Sequence, residues 1–323
     1  MALISGTATR YDMQGLRESL HDTIYNIDPE DTPFMSGMGR GPKASQTLEE
    51  WQTDTLATPD GDNAFMEGDD ATFETPAATV RVGNYCQISR KTLILSDTLE
   101  EVDKAGRRSE LAYQLAKRGS ELKLDQETIF LQAQGADAGS VGAARKLAAL
   151  GAWLKTNTSF GSGGADPTYT SGVPSAARTD GTQRPFTETI AKAVIQSGYS
   201  NGAKFRTLMV GPFNKTVVSG FAGIATRNFD LSNVSPRPTA IIASADVFVS
   251  DFGTLRVIPN RLQRERDAWF IDWDMVEAMY LRGHRTKKLA PTGDAEKRMM
   301  IVEYTMKCRN EAGLGGAFDL DAS

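Results

Sequence analysis

Residues 97 to 135 limit the fold more than any other part of the chain. They read as one helix of about 37 residues, which at 1.5 Å per residue is roughly 55 Å long. Helices of globular domains are usually several times shorter. Asp97 followed by Glu100 has the spacing of a capping box, and Gly135 supplies a stop. Leu111, Leu115, Leu122, Ile129 and Ala133 recur at steps of four and seven, so they are the expected buried stripe of this helix. Ala105, Ala112, Ala116 and Gly119 form a shallower strip that a sheet or another backbone can approach. A long packed helix is the bland reading of this pattern, and it names no chemistry.

The rest of the chain is read around that beam. Residues 11–26 have the spacing of a short amphipathic helix, with Leu16, Leu20, Ile24 and Ile27 on one side, and it ends before Pro29. Residues 26–42 are loop-like and predict an arm that lies on something else. Residues 47–57 and 78–88 predict two extended segments around a tip containing Pro59, Gly61, Gly68, Asp69, Asp70 and Pro76, which is a long hairpin with an acidic end. Residues 144–155 predict a short helix, followed by about thirty Gly-, Ser-, Thr- and Pro-rich residues expected as a surface loop or contact segment. Residues 186–260 have the grammar of a compact α/β unit, with helices at 187–197 and 213–221, a strand at 205–210 and a hairpin formed by 240–250 and 254–258. Strands are expected at 269–273 and 298–308, with about two helical turns at 275–281 between them.

Composition excludes several functions. A chain of 323 residues with 40% hydrophobic content can bury a real core, and its net charge of −5 argues against a dedicated nucleic-acid binder. Cys86 and Cys308 read as small buried hydrophobes in a reducing compartment. No apolar run is long enough to span a membrane and the start has no signal-like pattern, so a soluble protein made in the cytoplasm is expected. His21 and His284 are the only histidines, too few for a histidine-based triad or a multi-histidine metal site. Gly161-Ser162-Gly163-Gly164 lacks the Lys-Ser/Thr of a phosphate loop. No cofactor, metal site or catalytic residue is expected. The acidic tip, Asp60, Asp62, Glu67, Asp69 and Asp70, does not fit a calcium loop and reads as a solvated charge run. Two basic clusters, Arg261 with Arg264 and Arg266, and Arg282 with Arg285, Lys287 and Lys288, read either as surface solubility or as partners for acidic segments of a neighbouring copy or for packaged nucleic acid.

The order arm, acidic-tipped hairpin, long helix, α/β insertion and returning strands resembles the major capsid proteins of tailed bacteriophages, the Hong Kong 97-like fold. The resemblance sharpens at Asp28-Pro29 with Asp31-Thr32-Pro33-Phe34, at Trp51-Gln52-Thr53-Asp54 and at Gly211-Pro212-Phe213-Asn214-Lys215. It continues at Leu289-Ala290-Pro291-Thr292-Gly293-Asp294 and at Glu303-Tyr304-Thr305. The fold class it implies is α+β. Residues 1–46 would be an N-terminal arm and 47–93 an extended loop. Residues 94–185 and 266–323 would be a peripheral domain with the 97–135 spine helix, and 186–265 an axial domain near the five- and sixfold axes. No helical scaffolding region precedes the arm, so the resemblance implies either its removal or a separate scaffold protein. The Lys-Asn cross-link of part of this fold family is not expected, since no lysine lies between Lys43 and Lys91.

The function implied is a non-catalytic subunit that self-associates as hexamers and pentamers into an icosahedral head around double-stranded DNA. Its partners would be copies of itself, scaffold, portal and decoration proteins and, non-specifically, the packaged DNA; no membrane is involved. Candidate contact residues between subunits are Trp51, Phe65, Met66, Asp69, Asp70, Phe73, Arg261, Arg264 and Arg266, and the spine-helix core is Leu111, Leu115, Leu122 and Ile129. An encapsulin-like compartment of similar fold, holding cargo enzyme, is the nearest rival. An α/β hydrolase-like enzyme centred on 186–260 is a distant one, because it lacks a nucleophile and a base.

Overall fold

A computed structural model of the chain describes residues 31–71, 73, 75–104, 108–221 and 246–322. The expected helix over 11–26, and His21 with it, lie outside these residues. Two sheets organise what is described, one of four strands and one of six.

The four-stranded sheet is built on three long strands, β4 (Gln87–Ser96), β12 (Val276–Lys288) and β13 (Ala295–Cys308), all antiparallel, with β13 in the middle. A short strand β1 (Gly39–Arg40) pairs in parallel with β12 and closes its other edge. The expectation of helical turns at 275–281 is thus overturned: only a 3-10 turn at Trp273–Met275 precedes β12. Apolar residues in Val-Glu-Ala-Met-Tyr-Leu fit either period over so short a run, and pairing with β13 decides in favour of period two.

One face of this sheet carries the long helix, and the helix is shorter than expected. Residues 97–135 divide into α2 (Asp97–Glu101) and α3 (Glu110–Leu131), with Val102 extended after α2. The cap of α2 is Ser96, not Asp97, and Ser109 caps α3 by accepting from the Ala112 amide at 3.2 Å. Glu100 does not reach back to its own helix. Its carboxylate accepts from the Ser109 hydroxyl and from the Glu110 and Leu111 amides, so it caps the next helix across the break. Those bonds, with Lys104 nearby, hold the Glu100 carboxyl below its ordinary range. At the other end α3 stops at Leu131. Gly135 serves close packing instead, since a Cβ there would lie 2.5 Å from the Ser175 carbonyl oxygen.

The buried face of α3 comprises Glu110, Leu122, Gln126, Glu127, Phe130 and Leu131. Of the expected stripe Leu122 is fully buried and Ile129 packs partly buried against the core, whereas Leu111 and Leu115 are half-exposed and Ala133 is exposed. The stripe therefore exists only in the last three turns, where aromatic packing takes over: the Phe130 ring meets Tyr304 of β13 edge-on at 5.3 Å.

The six-stranded sheet runs β5 (Thr158–Ser159), β14 (Gly315–Phe318), β11 (Asp267–Ile271), β8 (Thr207–Val210), β10 (Gly253–Pro259) and β9 (Val247–Ser250). Helices α4 (Glu188–Ser200) and α5 (Pro212–Ser219) flank it. The helices and the 205–210 strand of the expected α/β unit are present within a few residues, as is its hairpin from Val247 on; residues 240–245 of the first expected hairpin strand lie outside the described residues. Strand β11, expected to complete the other sheet, lies here beside β8, and β14 joins it. Side chains alternate across these strands. Met209, Trp269 and Ile271 enter the core shared with α3, β12 and β13, and Leu208, Val210, Ala268 and Phe270 enter a second core under α4.

The short helix expected at 144–155 is absent: residues 147–154 are buried around a single 3-10 turn at Leu150–Ala152. The Gly- and Ser-rich stretch after it runs along the surface and is anchored at intervals by buried residues. Asn157, fully buried, donates to the Ala312 and Leu314 carbonyls at 2.7 and 3.0 Å. A small antiparallel pair, β6 (Thr168–Thr170) and β7 (Val173–Ala176), follows.

Candidate assembly surface

Strands β2 (Leu48–Thr53) and β3 (Val80–Tyr85) form the expected hairpin, in register from Leu48 opposite Tyr85 to Thr53 opposite Val80. Its root is fixed by buried polar contacts. The Asn84 amide nitrogen donates to the Met306 and Ala148 carbonyls at 2.8 and 3.2 Å, and its oxygen accepts from the Ala148 amide at 2.8 Å. Trp51 stacks at 5.4 Å on Trp153 of the same subunit, with the Lys307 ammonium 5.8 Å from the Trp51 ring. Beside the root, Gly172 adopts a positive φ of 80° and lies against the hairpin, where a Cβ would come within 2.1 Å of the Arg81 carbonyl oxygen. Glycine alone fits such an approach.

Beyond the root, every described residue from Asp54 to Arg81 is exposed. Phe65, Met66 and Phe73 are 76%, 81% and 95% exposed. The segment from Asp54 to Thr79 carries seven carboxylates, Asp69 and Asp70 among them, and no Lys, Arg or His. Apart from the Thr79 hydroxyl, which donates to the Gln52 side chain at its base, its described polar bonds are to near neighbours in sequence, as between the Asp62 amide and the Asp60 carboxylate at 2.9 Å.

A surface of opposite character lies on the four-stranded sheet, on the face away from α3. Ladder partners place Arg90, Ile301 and Arg285 side by side, then Thr92, Met299 and Lys287, then Ile94 and Lys297. The helix covers the other face: Met300 meets Gly119, and Lys91 pairs with Asp125 of α3 at 2.7 Å. On the open face no carboxylate of the described residues pairs with Arg90, Arg285, Lys287 or Lys297, and Ile88 and Ile94 are 44% and 59% exposed beside them.

The other basic cluster is engaged inside the subunit. Arg264 pairs with Asp180, and Arg266 pairs with Asp319 at 2.9 Å and with Asp180 at 3.4 Å. Buried Arg178 joins Asp267 and Asp180 and stacks over the Phe318 ring at 4.0 Å. Partial burial pushes the Asp180 carboxyl up, yet the Arg264 hydrogen bond and the three guanidinium groups hold it below its ordinary range. Arg261 stays exposed. Arg264, Arg266 and Trp51 thus belong to the fold of one subunit, a role their sequence context did not reveal. The second cluster is divided as well: Arg282 pairs with Glu303, while Arg285 and Lys287 pair with no acid among the described residues. His284 sits in β12 at 2.7 Å from the Gln126 side chain, and burial with nearby Lys123 pushes its pKa down. Cys86 and Cys308 are buried free thiols, and burial raises Cys86 to about 12.

Projecting hairpin, long helix on a long-stranded sheet and attached six-stranded sheet together define a shell-forming fold. The chain superposes over 95% of its length on a capsid subunit of cyanophage A-1(L), with a TM-score of 0.65, 10% identity and 98% of that chain covered. A capsid subunit of a native GTA particle matches 99% of the chain, at a TM-score of 0.63 and 12% identity, with all of that chain covered. The SrpI encapsulin of Synechococcus elongatus shares the fold more distantly, at 0.51 and 10% identity over 96% of this chain and 94% of that one, so fold alone does not separate head from compartment. Sequence does. Residues 4–321 match the SU10 major capsid protein family, and the chain is 30% identical to the major capsid protein of Escherichia phage Phieco32 over 95% of both. The chain belongs to the SU10 major capsid protein family: it is a phage major capsid protein, a structural subunit of an icosahedral shell, and not an enzyme.

Proposed function

We propose that the chain assembles as hexamers and pentamers around double-stranded DNA in the host cytoplasm, and that the acidic hairpin tip of one copy docks on the basic open face of the four-stranded sheet of the next. The carrying observation is the pairing of two unsatisfied surfaces on one chain: a tip with seven carboxylates and no cation, and a sheet face whose cations Arg90, Arg285, Lys287 and Lys297 pair with no acid among the described residues. Phe65, Met66 and Phe73 on the tip, and Ile88 and Ile94 on the face, supply apolar anchors. Ordering about 25 backbone residues costs roughly 1–2 kcal/mol each. The tip buries nothing in its own subunit to offset that cost, and a neighbour would. The four-stranded sheet with α3 is the peripheral domain in this reading, and the six-stranded sheet with α4 and α5 the axial one. Scaffold, portal and decoration proteins are expected partners; decoration proteins accompany the phage G capsid, and a size-determination protein the satellite phage P4 procapsid.

Assembly kinetics by light scattering test the docking. Asp69→Lys with Asp70→Lys should slow shell formation, as should Arg285→Glu with Lys287→Glu, while each leaves a folded subunit. Combining the four substitutions in one chain should restore assembly, because the swapped charges then meet at every contact. If the combined variant assembles no better than either parent, the tip docks elsewhere. A wild-type rate independent of ionic strength would equally rule out charge pairing.

A further inference from the structure

The arm enters the subunit over an unusual carboxylate. Glu127, on the inner side of α3, is fully buried and forms no ion pair with any described residue. Its Oε1 accepts from the Phe34 amide at 2.8 Å and its Oε2 from the Met35 amide at 2.8 Å. These two N–H groups open the short helix α1 (Pro33–Gly37), whose own cap residue, Thr32, makes no side-chain cap. A carboxylate 93 residues away in sequence therefore replaces the local cap. The third bond comes from the other sheet: the Asn260 amide nitrogen donates to Oε1 at 2.7 Å. Asn260 is itself held at the end of β10, its backbone N–H on the Val210 carbonyl at 2.9 Å and its side-chain oxygen accepting from the Leu262 amide at 2.8 Å.

A buried carboxylate is stable only when its lone pairs are satisfied, and removing one donor raises the cost of keeping it in place. Burial already pushes the Glu127 carboxyl up, against the pull of its three donors. The strength of the two bonds to the arm thus depends on the third, from β10. Phe34 completes the seat, its ring 6.1 Å from Phe130 and 5.9 Å from Trp273, and the chain then pairs along β12 through β1.

We propose that Glu127 is a latch that makes seating of the N-terminal arm conditional on the position of the six-stranded sheet, with Asn260 as the sensing group. A shift that withdraws Asn260 would loosen residues 33–38 and free the arm to leave the subunit in another direction. This device is independent of where the hairpin tip docks.

Hydrogen exchange on the unassembled full-length chain tests it. Asn260→Ala touches neither Phe34 nor Met35, yet should speed exchange of their amides about tenfold or more, the scale of one charge-assisted bond. Glu127→Gln should speed the same amides, and the double variant should exchange no faster than Glu127→Gln alone. Amides of β4 and β13 should stay protected in all three. Wild-type exchange at Phe34 and Met35 in Asn260→Ala would overturn the coupling, as would additive effects in the double variant. Should Glu127→Gln fail to fold, Asn260→Ala decides alone.

Discussion

Replacing Asn84 tests whether the hairpin root is held by one side chain. The residue is fully buried, as are Ala148 and Met306, its partners. Asn84→Ala strands the Ala148 amide and takes one bond from each of two carbonyls that lie at 2.8 and 3.2 Å. A stranded buried N–H costs about 1–3 kcal/mol, and the two lost carbonyl bonds add at least about 1 kcal/mol, so the sum is about 2–4 kcal/mol. At 1.4 kcal/mol per factor of ten, that is a roughly 30- to 700-fold fall in the folding equilibrium. Denaturant titration of the unassembled chain should show a lower midpoint at unchanged slope. Asn84→Asp is the sharper variant. It keeps the acceptor for Ala148 but turns a carboxylate oxygen toward two carbonyl oxygens, so at neutral pH it should be less stable than Asn84→Ala. Acidification should then recover part of the loss, because the protonated acid can donate to one carbonyl. If Asn84→Asp were as stable as wild type at neutral pH, the amide would not face those carbonyls. A loss below about 0.5 kcal/mol in Asn84→Ala would show that packing alone sets the root.

Leu122→Asp should cost several kcal/mol by placing an unpaired charge among Phe130 and its neighbours, whereas Leu115→Asp, half-exposed on the same helix, should stay within about 1 kcal/mol; melting of the two unassembled variants measures the difference, and equal losses would refute the shortened stripe. Glu100 has a folded-state pKa below its unfolded value, so the stability it adds is present above the unfolded value and lost as pH falls through the folded one. Glu100→Gln should accordingly flatten the acid side of the melting profile as pH falls below the ordinary glutamate range, and an unchanged acid limb would show that α3 does not depend on this cap.

What could be read from the residues alone was whatever composition or local period decides. The tip from Asp54 to Thr79 declares itself through its carboxylates and prolines, and α4 and the β9–β10 hairpin through spacing. Three features defeated local reading, each for a physical reason. The break before α3 depends on Glu100 capping a helix ten residues on, and a reader of spacings assigns Glu100 to Asp97 instead. Residues 144–155 carry the composition of a helix but are consumed by long-range pairing, with Asn84 taking both polar groups of the Ala148 backbone. Charge clusters state how many cations are present but not which are neutralised: Arg264 and Arg266 face Asp180 and Asp319, far away in sequence, whereas Arg285 and Lys287 face no acid among the described residues. Two local signals were overlooked, the cap residues Ser96 and Ser109, the second inside what read as unbroken helix.

The buried polar groups share a placement that explains why a shell subunit retains them. Asn84 binds segments 64 and 222 residues away, Glu127 binds the arm 93 residues away and Arg178 binds Asp267 across 89. Apolar contact drives the elements together but is non-directional, so a hairpin root could slide along Trp153 and an arm could seat Phe34 at several angles with little change in buried area. A hydrogen bond with defined donors and acceptors permits one arrangement, because any other strands a buried polar atom. For a monomeric protein an error of a few degrees at such a joint matters little. In a shell it is carried outward along a hairpin whose apex lies about thirteen residues of chain beyond the last ladder pair, Thr53 opposite Val80, and repeated at every contact with a neighbour. Stability could be had from apolar residues at these positions; a single direction for the hairpin and a single exit for the arm could not.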